Sequence, residues 1–181
     1  MDKSLLHGDY EYSAFKWINY VNLSTKQKCE VLRVRNQWDV RKWMTTTDLI
    51  SLESHMKFID KLSESTTSAY WAIYRDEQLV AGCSLVDIRD NGQAQSGIFT
   101  DTNLNIPGLG AIISICSYVM FFEHIGVEKL VGSARKTNDT VIKLNNLVGF
   151  DIVEEDDDYY YISLTKSMWE NNKKRLLRWI H

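Results

Sequence analysis

Two glycines, Gly108 and Gly110, lie in the loop Asn105-Ile-Pro-Gly-Leu-Gly-Ala111, which leads directly into a strongly apolar segment. The apolar run predicts a helix, and the first N–H groups of a helix are unpaired and lie at the positive end of its dipole. They therefore suit an anion such as a pyrophosphate, and glycine lets the backbone approach such a ligand closely. The same residues also suit an ordinary turn before a buried helix, so the loop alone leaves both interpretations open.

Composition limits the classes of protein that need to be considered. The 181 residues are 44% apolar and 25% charged, which predicts one soluble domain with a sizeable core. Basic and acidic residues number 21 and 24, so the net charge of −3 favours neither nucleic acid nor an anionic membrane as a partner. Three widely spaced cysteines are typical of reduced thiols rather than of disulfides or a zinc site.

The sequence also predicts where the protein is found. The apolar run at 111–125 is shorter than the roughly 20 residues needed to cross a bilayer. The N-terminal residues lack the apolar region of a signal peptide. We therefore expect a cytoplasmic protein without a membrane segment and without a metal ion.

Local patterns predict an alternation of helices and strands. Helices are predicted from Ser24 to about Arg35, from Ser51, at 111–125, at 139–148 and from Ser167. Strands are predicted at 70–74, 79–88, 94–100, 129–133, 150–153 and 159–164, with the acidic run 154–158 in the last turn. The strand–helix–strand unit implies one parallel pair with a right-handed crossover, and the hairpins supply antiparallel pairs.

A second motif follows the loop, after the next predicted strand. The segment Asn138-Asp-Thr-Val-Ile-Lys-Leu-Asn-Asn-Leu-Val-Gly-Phe150 begins with Asn and ends with Gly-Phe. Together with the loop, it resembles the acetyl-CoA-binding half of the GNAT acetyltransferase superfamily, whose loop pattern is (Gln/Arg)-x-x-Gly-x-(Gly/Ala). Asn105 stands where that pattern has Gln or Arg. Because the phosphates are held mainly by backbone amides, this departure is minor. The resemblance implies an α/β fold with a single mixed, mostly antiparallel sheet, one splayed parallel strand pair and flanking helices.

The N-terminal half resembles one subgroup of this superfamily. Arg35-Asn36, Trp43-Met44 and His55 are similar to residues of the N-acetyltransferases that act on UDP-linked 4-amino sugars in pseudaminic acid synthesis. The resemblance implies an enzyme that moves an acetyl group from acetyl-CoA to the amine of a nucleotide-linked amino-dideoxy sugar, for a bacterial surface glycan or flagellin.

The resemblance also divides the single domain into parts. Residues 1–93 would form mainly the acceptor side, 94–150 the acetyl-CoA-binding core, and 151–181 a closing hairpin and C-terminal helix.

The same resemblance implies how acetyl-CoA, the co-substrate, is bound. In the superfamily the pantetheine arm lies along the strand before the loop, where one backbone N–H polarises the thioester carbonyl. The strands at 94–100 and 129–133 should therefore splay apart and leave a cleft. The cofactor-binding residues implied are Ile98, Phe99, Thr100, Gly108, Leu109, Gly110, Ala111 and Asn138.

The positions expected to transfer protons differ from those of the relatives. Counting from Asn138, Asn145 stands where relatives carry a tyrosine placed to protonate the leaving thiolate, and Ser133 stands where they commonly carry a glutamate. An amide does not titrate and serine is a poor base. A thiol with a pKa of about 8.5 leaves tolerably well unprotonated, so the loss need not stop turnover. The sequence leaves open whether Asn145 hydrogen-bonds the sulfur or whether Tyr118 or one of the tyrosines at 159–161 takes over that role. Ser133 could hold a water that takes the proton of the amine.

The resemblance implies an acceptor site as well. Arg35 would pair with the nucleotide pyrophosphate, which suits a planar guanidinium. Met44 and Phe99 would form an apolar wall for the 6-deoxy methyl group, and Trp43 would stack on the nucleobase. Thr45 stands where relatives often carry tyrosine, which indicates an altered sugar or acyl preference.

His55 is the titratable residue predicted on the acceptor side as a catalytic base. Its position beside Met56 and Ile59 equally suits a structural histidine. Two other functions stay open: a GNAT enzyme acting on a protein N-terminus or small amine, and a CoA-binding protein with impaired catalysis. The oligomeric state is also open, a homodimer included, because the C-terminal helix carries the apolar residues Met168, Trp169, Leu176, Leu177 and Trp179.

Overall fold

The computed structural model of the protein describes residues 3–44, 46–178 and 180. The helices in this part of the chain are α1 (Thr25–Arg35), α2 (Trp38–Arg41), α3 (Leu52–Leu62), α4 (Leu109–Val119), α5 (Asp139–Val148) and α6 (Lys166–Leu177). The strands are β1 (Tyr10–Tyr12), β2 (Phe15–Asn19), β3 (Ala69–Arg75), β4 (Gln78–Val86), β5 (Gln93–Thr100), β6 (Lys129–Arg135), β7 (Asp151–Glu155) and β8 (Tyr159–Thr165).

All eight strands form one sheet in the order β1-β2-β3-β4-β5-β6-β8-β7. The β5–β6 pair is parallel, and the other neighbouring pairs are antiparallel. Helix α4 forms the crossover between the two parallel strands. The predicted fold class, a mixed and mostly antiparallel sheet flanked by helices, is confirmed.

Local signals in the sequence begin these elements as predicted. The Ser24 hydroxyl accepts the N–H of Gln27 at 3.3 Å, and the Gln27 side chain accepts the N–H of Ser24 at 2.9 Å, which completes a capping box. Ser51 caps α3 by accepting the N–H of Ser54 at 3.1 Å. Asp76 and Glu77 both have positive φ, as the two-residue turn between β3 and β4 requires.

The helix predicted at 111–125 has different limits. Regular α4 starts two residues earlier, at Leu109, and ends at Val119. A π-helical turn, Met120–His124, follows, and the Ile125 N–H donates to the Met120 carbonyl at 3.0 Å. The apolar pattern could not show where the hydrogen-bond pattern changes, because it continues through Met120, Phe121 and Phe122, which are buried in the π-helical turn.

Two predictions at the C-terminal end are corrected. The cap of α6 is Thr165, whose hydroxyl accepts the N–H of Met168 at 3.3 Å, and the prediction of Ser167 was wrong. Glu154 and Glu155 belong to strand β7, so the turn holds the rest of the acidic run. Thr165 ends β8 and caps α6 at once, so no separate cap residue is needed.

The two faces of the sheet carry different helices. Trp17, Trp71 and Ile73 pack with α4, α5 and α6 in one buried cluster, and we call that side the α4–α6 face. Ala72 and Tyr74 alternate with them along β3 and pack with α1 and α3 in a second cluster, on the α1–α3 face. The side chains on each face are therefore fixed by strand alternation.

Helix α6 packs on the domain itself. Trp169 and Leu176 are fully buried, and the Trp169 ring stacks on Phe122 with 5.8 Å between centroids. Burial of each such apolar side chain contributes about 1.5–3 kcal/mol to stability. Trp179, which the sequence analysis grouped with them, lies outside the described residues.

Strands β5 and β6 pair over a short length. Their register joins Gln93 to Lys129, Ala94 to Leu130 and Gln95 to Val131, although β5 continues to Thr100 and β6 to Arg135. Beyond the third pair the two strands diverge. The splay predicted between them is confirmed, and it opens toward the loop that precedes α4.

Candidate active site

The glycine loop ends in an exposed helix N-terminus. Gly108 is the N-cap of α4, with φ 76° and ψ 0°, a left-handed conformation that favours glycine. The Leu109 N–H donates to the Ile106 carbonyl at 3.3 Å, whereas no acceptor is found within the described residues for the N–H groups of Gly110 and Ala111. These two donors are therefore available to an anion.

Gly110 is not required by the packing of the protein. Its φ is not positive, and a Cβ built on it meets nothing within 4 Å. The same is true of the space around Gly108. Space that no protein atom fills, next to free N–H donors, is what close approach of a ligand requires.

A groove of about 380 Å³ lies between this loop and α5. Its wall is formed on one side by the end of β5, the following loop and the first turn of α4, including Thr100, Gly108, Leu109, Gly110 and Ala111. The other side is one face of α5, formed by Thr140, Lys143, Leu144 and Leu147. Lys143 adds a positive charge to the apolar and hydroxyl groups there.

The structure thus brings together most of the predicted cofactor-binding residues. Ile98 and Phe99 lie in the splayed part of β5, and Thr100 and the loop residues line the groove. Asn138 caps α5, and its side chain accepts the N–H of Val141 at 3.3 Å. It does not line the groove, so its contact with a cofactor stays a prediction.

Three predicted acceptor residues meet on the α1–α3 face beside the splay. Arg35, at the end of α1, donates from Nη1 to the Met44 sulfur at 2.9 Å, and its guanidinium lies 5.2 Å from the centroid of the Phe99 ring. Phe99 covers Gly82 so closely that a Cβ there would lie 2.5 Å from the ring. Tyr70 packs against the same cluster.

The charge of Arg35 is not neutralised by a neighbouring acid. Among the residues that the structure describes, no carboxylate lies within salt-bridge distance of this half-buried guanidinium. By contrast, Arg33, two residues away on the exposed side of α1, pairs with Asp101 at 2.8 Å. An unpaired cation among aromatic rings is suited to an anionic ligand.

Trp43, another predicted acceptor residue, is not part of this cluster. Trp43 is 41% exposed, and its ring contacts the Lys42 ammonium, 5.6 Å from the centroid. Its predicted stacking on a nucleobase stays a prediction. Thr45 lies outside the described residues.

His55 is buried beneath the α1–α3 face. Its side chain is 4% exposed, Nε2 lies 3.0 Å from the Lys28 carbonyl, and the ring packs edge-on against Tyr20. Burial lowers the pKa of His55 below its ordinary value, and the nearby charge of Arg35 lowers it further. A neutral histidine is therefore expected at physiological pH, and its catalytic role stays a prediction.

Ser133 and Asn145 lie on opposite faces of the sheet. Ser133 is exposed on β6 opposite Tyr161, on the α1–α3 face. Asn145 is 8% exposed and lines a small cavity on the other face, beside Ala134, Phe150 and Ile162. Asn145 is not part of the groove wall, so its predicted bond to the sulfur is untested.

The alternative tyrosines differ in exposure. Tyr118 is buried among Phe121, Phe150 and Trp169, and burial raises its pKa. The Tyr161 hydroxyl is accessible and donates to Asp156 Oδ2 at 2.7 Å. That hydrogen bond raises the pKa of Tyr161, so the hydroxyl keeps its proton at neutral pH.

Sequence reasoning missed the α5 side of the groove. Thr140, Lys143, Leu144 and Leu147 are spaced three and four residues apart and so share one helical face. That spacing could have predicted a common surface, but not that the surface faces the glycine loop.

Membrane spans and metal sites each require a particular arrangement of residues. None of the helices in the described residues has both the length and the apolar composition that crossing a membrane requires. The same residues contain no group of three or more His, Cys, Asp or Glu side chains placed to hold a metal ion.

Comparisons with known proteins identify relatives. No protein-family model matches the chain. The curated acetyltransferase PseH of Campylobacter jejuni is 29% identical over 151 residues, which cover 82% of this chain and 92% of PseH.

Solved structures agree with this match. A crystal structure of the Campylobacter jejuni N-acetyltransferase PseH in complex with acetyl coenzyme A has a TM-score of 0.69 and 25% identity, covering 83% of this chain and 98% of that one. Apo FdhC, described as a nucleotide-linked sugar GNAT, has a TM-score of 0.79 over 97% of this chain and 99% of its own. At 16% identity, FdhC shows the fold alone.

The sequence match, the eight-stranded sheet with its splayed parallel pair, and the exposed N-terminus of α4 agree with one another. The chain has the GNAT fold and is similar to the N-acetyltransferase PseH over most of its length, so the predicted resemblance is confirmed.

Proposed function

We propose that this protein transfers the acetyl group of acetyl-CoA to the amine of a nucleotide-linked amino-dideoxy sugar. The observation that carries the proposal is the unpaired guanidinium of Arg35 beside Met44 and Phe99. A diphosphate would neutralise this cation, and the apolar side chains beside it suit the methyl group of a deoxy sugar. Polyamines, being cations themselves, would be repelled from the same position.

The relatives support the class of acceptor. PseH is the homologue that suggests a step in pseudaminic acid synthesis, and FdhC is described as a GNAT for a nucleotide-linked sugar. The product would then serve a bacterial surface glycan or flagellin. The division of the chain into an acceptor side, a cofactor core and a closing C-terminal part follows the same proposal.

The groove supports the binding of acetyl-CoA. The free N–H groups of Gly110 and Ala111 would hold the pyrophosphate, and Lys143 across the groove would add a charge-assisted contact. The splayed edge of β5 at Ile98 to Thr100 would hydrogen-bond the pantetheine arm, as an added strand does. A backbone N–H of that edge would polarise the thioester carbonyl.

The reaction itself needs modest proton transfer. The lone pair of the neutral amine forms the C–N bond, the C–S bond breaks, and the amine loses one proton. A water held at the exposed Ser133 would accept that proton. CoA can leave as a thiolate because its pKa of about 8.5 lies close to neutrality. The accessible Tyr161 hydroxyl is the alternative proton donor, on the same face as Ser133.

Thiol release from acetyl-CoA tests the proposal. We expect turnover with UDP- or dTDP-linked 4-amino-4,6-dideoxy sugars, and little with spermidine or with peptides that have a free N-terminus. Faster turnover with spermidine or a peptide would overturn the choice of acceptor. If acetyl-CoA raises the melting temperature while no acceptor releases thiol, the protein binds CoA without catalysis.

A further inference from the structure

Asp101 is a buried carboxylate at the junction of β5 and the cofactor loop. It directly follows the last residue of β5, its side chain is 3% exposed, and its N–H donates to the Val80 carbonyl at 2.9 Å. It also forms part of the groove wall. The strand edge and the loop are therefore joined at this residue.

The hydrogen bonds to Asp101 come largely from the opposite side of the site. Arg33 on α1 donates to Oδ2 at 2.8 Å, and Gln37, the residue before α2, donates to Oδ1 at 2.7 Å. The Asn103 N–H also donates to Oδ1, at 3.0 Å. Burial raises the pKa of Asp101, but these hydrogen bonds outweigh it and hold the pKa below its usual value, so the group is ionised at neutral pH.

Gln37 contacts the loop a second time. Its side-chain oxygen accepts the Thr102 N–H at 3.1 Å and the Thr102 hydroxyl at 2.7 Å. One amide thus fixes two consecutive residues of the groove wall. These hydrogen bonds all connect the same short segment of the loop. A change in the position of that segment would therefore break several of them at once.

The segment that holds Asp101 also carries the acceptor residues. Arg35 lies between Arg33 and Gln37 in sequence and contacts Met44 and Phe99. Asn36 exchanges two hydrogen bonds of 2.9 Å with the backbone of Ile50 and so holds the loop that contains Met44. Residues 33–37 therefore contact the groove wall, the side chains of Met44 and Phe99, and the backbone of Ile50.

We propose that Asp101 and Gln37 are positioning residues that couple the cofactor groove to the acceptor site. The proposal rests on the proposed binding of acetyl-CoA in the groove. A ligand that orders residues 101–104 fixes α1 and the start of α2 through these bonds, and so sets Arg35 and Met44 for the acceptor. Acetyl-CoA then increases the affinity for the second substrate through these protein contacts, in addition to the direct contact at the thioester.

Amide hydrogen exchange tests this coupling with acetyl-CoA as the only ligand. In the wild type, acetyl-CoA should slow exchange in residues 34–44 as well as in the loop at 101–111. Gln37→Ala should still bind acetyl-CoA and protect the loop, but it should lose the protection of 34–44. Asp101→Asn keeps an acceptor oxygen for Gln37 but loses the charge facing Arg33. This variant should lose part of the protection of residues 34–44. Asp90→Asn, at an exposed ion pair with Lys3, is the control.

Kinetics provide a second readout that a purely structural role would not change. Gln37→Ala should raise the KM of the acceptor by about fivefold or more, as coupling energies of this kind do, with kcat nearly unchanged. Protection confined to the loop in the wild type, or an unchanged acceptor KM in Gln37→Ala, would overturn the coupling. If acetyl-CoA neither protects nor stabilises the wild type, the proposed function itself fails, and the coupling fails with it.

Discussion

The two sides of the splay are built from different parts of the chain. The groove side presents backbone N–H groups at the start of α4, within one short segment that glycines leave open. The acceptor side presents side chains from α1, the 42–50 loop and β5, which meet at Arg35, Met44 and Phe99. A backbone site depends on conformation, whereas a side-chain site depends on the identity of a few residues.

This difference predicts that substitutions affect the two sides unequally. Many sequences can form a helix N-terminus after a glycine, so the groove constrains the residue types around it weakly. A single substitution can change the charge or shape of the acceptor side. Variants that affect one side and spare the other therefore test the comparison directly.

The largest effect is expected from Arg35→Leu. Loss of a charge-assisted contact worth about 1.5–3 kcal/mol should lower kcat/KM for a nucleotide sugar roughly ten- to a hundredfold. The affinity for acetyl-CoA, measured by calorimetry, should stay the same, because the groove is not contacted by Arg35.

Arg89→Leu is the matched control, since Arg89 forms an exposed ion pair with Asp87 at 2.9 Å. An equal loss in both variants would contradict a specific role for Arg35. Arg35→Lys should fall between the wild type and the leucine variant, because it keeps the charge but not the planar fork.

A smaller effect on the other side is expected from Gly110→Ala and Gly110→Leu. Alanine in the first turn of α4 should raise the free energy of unfolding by up to about 1 kcal/mol, since its Cβ meets no protein atom. Leucine should weaken acetyl-CoA binding by about tenfold or more, because its side chain occupies the ligand's space, whereas alanine, which the family pattern also has at this position, should leave the affinity nearly unchanged.

Denaturation and calorimetry on the same samples separate the two effects. The expected results are a more stable Gly110→Ala protein that still binds acetyl-CoA, and a Gly110→Leu protein that binds acetyl-CoA less tightly. Unchanged acetyl-CoA affinity in Gly110→Leu would show that no ligand approaches this turn, and the two sides of the splay would then differ less than the structure implies.

The smallest effect on activity is expected from His55→Gln. Glutamine can still donate to the Lys28 carbonyl, so turnover should change little if His55 supports packing. Burial lowers the pKa of His55 in the folded protein below its ordinary value of 6.5. As the pH falls below 6.5, the unfolded chain therefore binds more protons than the folded protein does. The wild type should therefore lose stability as pH falls below about 6.5, and that loss should be reduced in the variant.

Urea unfolding at several pH values measures the slope, with His124→Gln as a matched loss of one histidine. The same slope in His55→Gln as in the wild type would contradict the argument from burial. A large fall in kcat with a shifted pH–rate profile would instead support the catalytic role predicted for His55.

Much of the fold could be predicted because its signals are local. The capping box at Ser24, the cap at Ser51 and the period-two pattern of β3 each act within a few residues. The first two strands, Tyr10–Tyr12 and Phe15–Asn19, were not predicted. They are short and gain their stability from pairing with β3, which is distant in sequence.

The same difference between local signals and long-range contacts applies to the candidate site. The groove loop was found from glycine spacing, because a helix N-terminus after a glycine is a local feature. Asp101, Gln37 and Lys143 were missed, since their partners lie far away in the chain; Gln37 and Thr102 are 65 positions apart. Asn145 and Ser133 were located by counting along a family pattern, which could not show that they face opposite sides of the sheet.

The divergence of β5 and β6 also bears on how this protein avoids aggregation. An unpaired strand edge on the rim of a sheet is open to the strands of other chains. Here the edge of β5 beyond Gln95 lies inside the sheet, facing β6 across a narrowing wedge, with helices on both faces. The flanking strand β6 and the helices on the two faces limit the access of another polypeptide strand to that wedge. The protein can therefore keep unpaired backbone groups ready for a slender ligand without exposing a template for self-association.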